Sequence, residues 1–339
     1  MRTMRFYAPH LVLAILLGGM PAGLGGLGLV MAEGPTKSKT APTVKPGSAE
    51  CGTNGGPWTT IYQLPPDRSG WLDGLWVAPS GEFFAVGRLI VHCTADQKCD
   101  VTEIPKEQNF LAGVWGTSPT DVFAVGPRGF ITHFDGETWK VERPRGPQSE
   151  GRWGHLDHVG DFLPGVVVAG LPGGPDPEDN LVLKRIDGAW QPVTRKEWQA
   201  LYDLAFHLPN DPEPCHGQGV DEYWPNRQPG PMAAAICQKD RRAFWKEEGR
   251  WVLRGMAKGV CHAGRDSTFD SLRIGDEWFL SCGRDLGKGN RRTAIWVNRG
   301  TAWTRECTFR EVLRFAAIPG ALYVVGHRTI LRRDLNAAP

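Results

Sequence analysis

The chain carries no excess charge of either sign. Lys and Arg number 39 against 37 Asp and Glu, a formal +2. That balance leaves no electrostatic footprint for nucleic acid. The sequence has no Gly-x-Ser-x-Gly elbow, no phosphate-binding loop and no His-Glu-x-x-His helix. The usual serine-hydrolase, nucleotide and zinc-protease sites are therefore not expected. Its eight cysteines include no Cys-x-x-Cys, which argues against a thioredoxin-type redox centre. No lipobox precedes Cys51 in Gly47-Ser-Ala-Glu50, so no lipid anchor is expected there. Nothing in the motifs calls for a cofactor.

Turn residues and tryptophan are abundant. Gly 43, Pro 27 and Trp 14 suit many short strands rather than long helices. A turn followed by Trp recurs as Asp135-Gly-Glu-Thr-Trp139, Asp187-Gly-Ala-Trp190, Glu248-Gly-Arg-Trp251 and Arg299-Gly-Thr-Ala-Trp303, with an early copy at Gly55-Gly-Pro-Trp58. Asp135, Asp187 and Glu248 are expected to form the turns and the tryptophans to pack between repeats. Recurrence at roughly 40 to 60 residues marks a repeat architecture, most simply an all-β propeller.

The clearest unit runs from Leu111 to Val141. Leu111–Gly116, Val122–Gly126, Phe130–Phe134 and Trp139–Glu142 read as four short strands joined by tight turns, one propeller blade. The second-strand pattern returns at Phe83–Gly87, Val166–Gly170, Ala233–Cys237, Phe279–Gly283 and Tyr323–Gly326. The third-strand pattern returns at Leu89–His92, Leu181–Lys184, Ala243–Trp245, Ala294–Val297 and Thr329–Arg332. Six blades of four strands are predicted over residues 57–335. The last blade lacks a Trp strand, and a spare strand, Pro57–Gln63, precedes the first. An N-terminal strand that completes the last blade would remove the exposed edges.

These motifs resemble a bacterial family of secreted propeller repeats with Val-Trp-Gly, then Asp-Val-Phe-Ala-Val-Gly, then a turn before Trp. The matching residues are Val114-Trp-Gly116, Asp121–Gly126 and Asp135–Trp139. The resemblance implies fold and export, and carries no catalytic residues. The pattern is also loosely similar to Asp-box and Kelch-like propellers. It departs from the Asp-box, because Phe134 stands where the Asp belongs and Asp135 falls one place late. Sialidase chemistry is not expected.

Residues 1–32 read as a signal peptide: Arg2 and Arg5, an apolar Leu11–Leu17, and Val30-Met-Ala32 as cleavage signature, with Met20-Pro-Ala22-Gly23 as a competitor. An uncleaved anchor is the alternative, since no charge appears from Leu11 to Ala32. The glycines between Gly18 and Gly28 weaken a spanning helix. Membrane attachment is expected only through this segment, if at all. Residues 33–56 read as a disordered linker. A periplasmic or secreted location follows, and with it paired cysteines.

The expected pairs are Cys93–Cys99, Cys215–Cys237, Cys261–Cys282 and, by elimination, Cys51–Cys307. Cys261 is aligned with Trp115 and so placed on an innermost strand. Each bridge stabilises by roughly 2 to 4 kcal/mol. The Cys215-His216 and Cys261-His262 dipeptides suggest a metal site as the alternative. Their location in different blades and an oxidising compartment favour disulfides, and no metal is expected.

His158, His207, Asp157 and Arg314 are candidates to line the central channel. The second-to-third-strand loops differ between blades. One is acidic, Leu171–Asp179 with Asp176 and Asp179; another is basic, Arg284–Arg292 with Arg291. These loops share one face with the blade-to-blade connectors. Residues 209–231 and 264–277 are expected as first-to-second-strand loops on the other face. Long loops on a rigid scaffold often carry binding, though they also arise by drift. Two functions stay open. One is a non-catalytic scaffold for a protein or glycan partner. The other is a propeller enzyme acting on a carbohydrate or lactone through His158, His207 and Asp157.

Overall fold

A computed structural model describes residues 50–52, 56–104, 108–143, 155–163, 165–170, 181–206, 220–223, 234–237, 241–247, 250–260, 267–285, 291–309 and 314–336. The segments read as signal peptide and linker lie almost wholly outside these residues.

The chain is mostly β, in four-stranded antiparallel sheets. After β1 (Thr59–Gln63), the first sheet is β2 (Leu72–Val77), β3 (Phe83–Gly87), β4 (Leu89–Cys93) and β5 (Cys99–Glu103). The second is β6 (Gly113–Ser118), β7 (Asp121–Gly126), β8 (Phe130–Phe134) and β9 (Trp139–Arg143). The third is β10 (Val159–Leu163), β11 (Val166–Ala169), β12 (Leu183–Ile186) and β13 (Ala189–Pro192). After α1 (Arg195–Phe206) comes the fourth: β14 (Val220–Tyr223), β15 (Ala234–Cys237), β16 (Arg242–Glu247) and β17 (Arg250–Met256). The fifth is β18 (Ser267–Ile274), β19 (Glu277–Asp285), β20 (Arg291–Arg299) and β21 (Ala302–Phe309). The last holds β22 (Arg314–Ile318), β23 (Ala321–Val325) and β24 (Thr329–Asp334), and its fourth strand is β1.

The core lies in the seams between neighbouring sheets. Second strands read as unbroken apolar runs because both of their faces are covered. In β3, Phe83 and Ala85 pack toward β23 of the last sheet, while Phe84 and Val86 pack toward β7 of the second. The turns are built as the sequence indicates. Asp135 accepts the amides of Glu137 (3.1 Å) and Thr138 (2.8 Å). Lys140 first, then those amides, hold its carboxyl well below the usual range.

The last sheet is assembled from both ends of the propagating chain. β1 runs antiparallel to β24, with Thr59 opposite Arg332 and Gln63 opposite Thr329. The Cys51–Cys307 bridge spans a sequence separation of 256 and sits inside the seam core with Trp58 and Phe279. Trp58 Nε1 donates to Glu306 Oε2 at 3.0 Å. Arg328 donates to the carbonyls of Leu64, Pro65, Arg68 and Gly70, fixing the segment that leads from β1 to β2.

The Trp58–Glu306 contact has a counterpart between the second and third sheets. Trp190 Nε1 donates to Glu142 Oε2 at 2.6 Å, and Arg185 is bidentate on the same carboxylate. Arg333 stands beside Glu306 as Arg185 does beside Glu142, 2.8 Å away. The two guanidiniums also cover Phe279 and Phe123, at 5.0 and 5.2 Å from the ring centroids. Both of these seams thus satisfy a half-buried carboxylate with an indole and a guanidinium from the next sheet.

Four expectations from sequence are corrected. Residues 209–231 contain the innermost strand β14, not a simple loop. Residues 264–277 contain β18, closed onto β19 by a two-residue turn at Gly275-Asp276, where Gly275 takes φ 55. The two ends of the basic segment are paired strand, not loop, since Arg284 faces Arg292 and Asp285 faces Arg291. Finally, a helix is present. In α1, Thr194 and Glu197 cap each other: the Thr194 amide and hydroxyl donate to Glu197 Oε2, and the Glu197 amide donates to Thr194 Oγ1. Trp198 and Leu201 bury its inner face against Phe162, Val168 and Val182 of the third sheet.

Cys93 and Cys99 are bonded across the β4–β5 hairpin. Cys237 and Cys282 are each disulfide-bonded. Cys215 and Cys261, their expected partners, lie outside the described residues.

Three outcomes are expected in urea unfolding. Trp58→Phe, which strands one oxygen of a half-buried carboxylate, lowers stability by about 1.5–3 kcal/mol, and the double replacement Cys51→Ala/Cys307→Ala by about 2–5 kcal/mol. The third concerns α1. Glu197 is lowered to about 2, first by Lys184, then by the Thr194 amide and hydroxyl. A depressed carboxyl contributes in full above its unfolded value and loses that contribution as pH falls toward the folded one. Glu197→Ala should cost about 0.5–2 kcal/mol at neutral pH. The difference from wild type should fade as pH drops from 4.5 toward about 2; a difference that persists there would discount the cap.

Candidate functional site

The innermost strands converge. β22, β2, β6 and β10 touch in succession, as do β14, β18 and β22. One hydrogen bond sets their height. The Leu72 amide donates to His327 O (2.8 Å), Leu111 to Gly87 O (2.7 Å) and Leu156 to Gly126 O (3.2 Å). In each case a connector is tied to the end of the preceding sheet's second strand or the turn that follows it. These three leucines are buried and mark equivalent positions. Close approach also demands glycine. A Cβ at Gly74 would lie 3.0 Å from Ala112 O, and one at Gly113 would lie 2.8 Å from Asp157 O.

Between these strands is a cavity of about 60 Å³, whose lining includes Asp73, Trp76, Asp157, His158, Asp270 and Arg314. Arg314 Nε lies 3.5 Å from Asp73 Oδ1, which links the last sheet to the first. Asp270, 7% exposed, accepts the Phe315 amide at 2.7 Å through Oδ2. That bond ties β18 to β22, so this carboxylate has a structural task. Among the described residues no cluster of three or more His, Cys, Asp or Glu could hold a metal ion.

Of the residues singled out from sequence, the structure brings Asp157, His158 and Arg314 together at this cavity. His207 lies outside the described residues. Asp176 and Asp179 also lie outside the described residues. Arg284, Arg291 and Arg292 sit together on the β19–β20 hairpin, two paired positions beyond Gly283. Gly283 closes the same Phe-to-Gly run as Gly87 and Gly126, whose strands end there. This hairpin therefore continues past the point where the others turn back.

A second feature was not anticipated. His327, Trp71, Phe110 and His155 form a chain of ring contacts at 6.1, 5.3 and 6.5 Å between centroids. Trp71, Phe110 and His155 each stand directly before one of the three equivalent leucines, and His327 accepts the Leu72 amide. The arc crosses from the last sheet to the third at the mouth of the converging strands. Its sequence signal is an aromatic ring immediately before Leu, in Trp71-Leu72, Phe110-Leu111 and His155-Leu156.

By sequence, the chain matches no family model and no curated protein. Among solved structures, it is similar to a catalytically inactive virginiamycin B lyase from Staphylococcus aureus crystallised with quinupristin. That similarity has 10% identity, covers 82% of this chain and 99% of the other, and has a TM-score of 0.43. It is also similar to YCF48 bound to D1 peptide (14% identity, 81% and 82% covered, TM-score 0.35). A third is the WD40 β-propeller domain of Doa1 (10% identity, 82% and 98% covered, TM-score 0.37). None of these transfers an activity or a residue role to this chain.

Proposed function

We propose that this chain is an exported six-bladed β-propeller, closed by β1, that binds a partner at the bacterial envelope or exterior and performs no chemistry of its own. The observation that carries this is the size of the axial cavity. At about 60 Å³ it falls well short of the roughly 300–1,000 Å³ of small-molecule sites. Binding is thereby displaced to the rim and to the projecting β19–β20 hairpin, on the side where connectors meet second-strand ends. The disulfides suit an oxidising compartment. Among the described residues no helix is long and apolar enough to cross a membrane. A protein is the first choice of partner, and a glycan the second.

The enzymatic alternative rests on Asp157 and His158 lying at the same cavity. It requires turnover of a carbohydrate or lactone that His158→Ala abolishes.

Cross-linking of the mature chain in its native envelope, followed by mass spectrometry, separates the readings. A stoichiometric protein partner is expected, with capture reduced at least severalfold in Arg284→Ala/Arg291→Ala/Arg292→Ala. Undiminished capture would remove the hairpin from the proposal. Recovery of polysaccharide alone would instead direct attention to His158.

A further inference from the structure

We infer that the aromatic arc at the mouth of the converging strands is a docking site for an acidic peptide segment of a partner protein, one whose other side chains are aromatic or proline. This rests on the binding-scaffold reading and names the partner's chemistry and its place.

The arc is available because seam packing is done by other rings. Phe84 meets Phe134 and Trp139, and Phe123 meets Trp190, within the seams. Trp71, Phe110 and His327 are only half-buried, and His155 is exposed. Their spacing matches an extended chain. Two residues of a strand rise about 6.6 Å, and the ring centroids follow one another at 5.3 to 6.5 Å. Alternate side chains of an extended peptide therefore meet successive rings. The connectors that carry the rings are held firmly. The Gln108 side chain donates to Phe110 O at 2.8 Å, and the Arg88 amide to Trp71 O at 2.8 Å.

Charge completes the match. Arg88 and Arg128 occupy the β3–β4 and β7–β8 turns. The Leu111 and Leu156 amides tie each ring-bearing connector to one of these turns. Among the described residues neither guanidinium has a carboxylate partner. Arg128 is also held at φ 58, a left-handed conformation that glycine adopts at less cost. Two open guanidiniums on the turns to which the ring-bearing connectors are tied suit carboxylates on the outward side of a peptide. Below the rim, three carboxylates, Asp73, Asp157 and Asp270, against one guanidinium, Arg314, disfavour further carboxylates in the cavity. The peptide therefore lies across the mouth, with rings or prolines facing the arc.

The test uses two labelled eight-residue peptides in fluorescence anisotropy. One alternates Glu with Phe and Pro, and the other carries Lys in place of Glu. The wild-type chain should bind the Glu peptide at least tenfold more tightly than the Lys peptide. Trp71→Ala and the pair Arg88→Ala/Arg128→Gly should each weaken binding tenfold or more. Trp71→Phe keeps a ring and should retain most of it. Thermal unfolding checks that each variant is folded, and Gly at 128 suits the local backbone. Equal affinity for the two peptides overturns the site. So does full binding by the folded Trp71→Ala or arginine variants, or no binding of the Glu peptide at millimolar concentration. A partner captured by cross-linking in undiminished yield from Trp71→Ala would sink this site and leave the scaffold reading standing.

Discussion

The rest of the structure depends on the antiparallel pairing of β1 with β24. Without β1, the last sheet would present β24 as an open edge, and the seam core around Phe279, Phe315 and Leu331 would lose Trp58 and Cys51. Backbone pairing, a buried indole–carboxylate contact, the Arg328 donors and a disulfide converge on this one junction. Such redundancy is reasonable where a join between distant segments has a large loop-closure cost. The connectors to the second and third sheets are instead each tied by one main-chain hydrogen bond, Leu111 to Gly87 O and Leu156 to Gly126 O.

Rigidity at the centre follows from the same economy of space. Gly74 and Gly113 let the innermost strands approach until backbone meets backbone. Asp270 and Arg314 occupy the remaining room with contacts of their own. The same convergence draws the connectors together at one mouth, so rings one per sheet apart in sequence become a continuous surface.

Second and third strands were legible from sequence because burial on both faces writes an unbroken apolar run, as in Phe83–Gly87 and Tyr323–Gly326. The turns were legible because Asp-Gly pairs are local chemistry. Innermost strands were harder, since one edge of each faces the axis and polar residues are tolerated. β18, with Asp270 and Ser271 in its middle, reads as loop until Gly275-Asp276 is seen as a hairpin turn. The Cys261-His262 dipeptide drew the alignment upstream. α1 was missed although Thr194 and Glu197 spell a capping box, because the sequence was read as short strands and turns throughout. The aromatic arc escaped because its rings are far apart in sequence, and only the shared leucine that follows each betrays their equivalence.

The Cys51–Cys307 bridge and β1 also set an order of events during synthesis. β1 is made among the first described residues, and β24 almost the last. For most of translation the early strand has no partner, while the sheets between can form from local hairpins. The final sheet waits for both ends, so its completion is a late, cooperative step. Until then two unpaired edges and the surface around Trp58 are open to wrong partners. The short linker-side segment at Cys51, which reaches across to pair with Thr308 in parallel, then acts as the latch that makes the finished last sheet harder to reopen than it was to assemble.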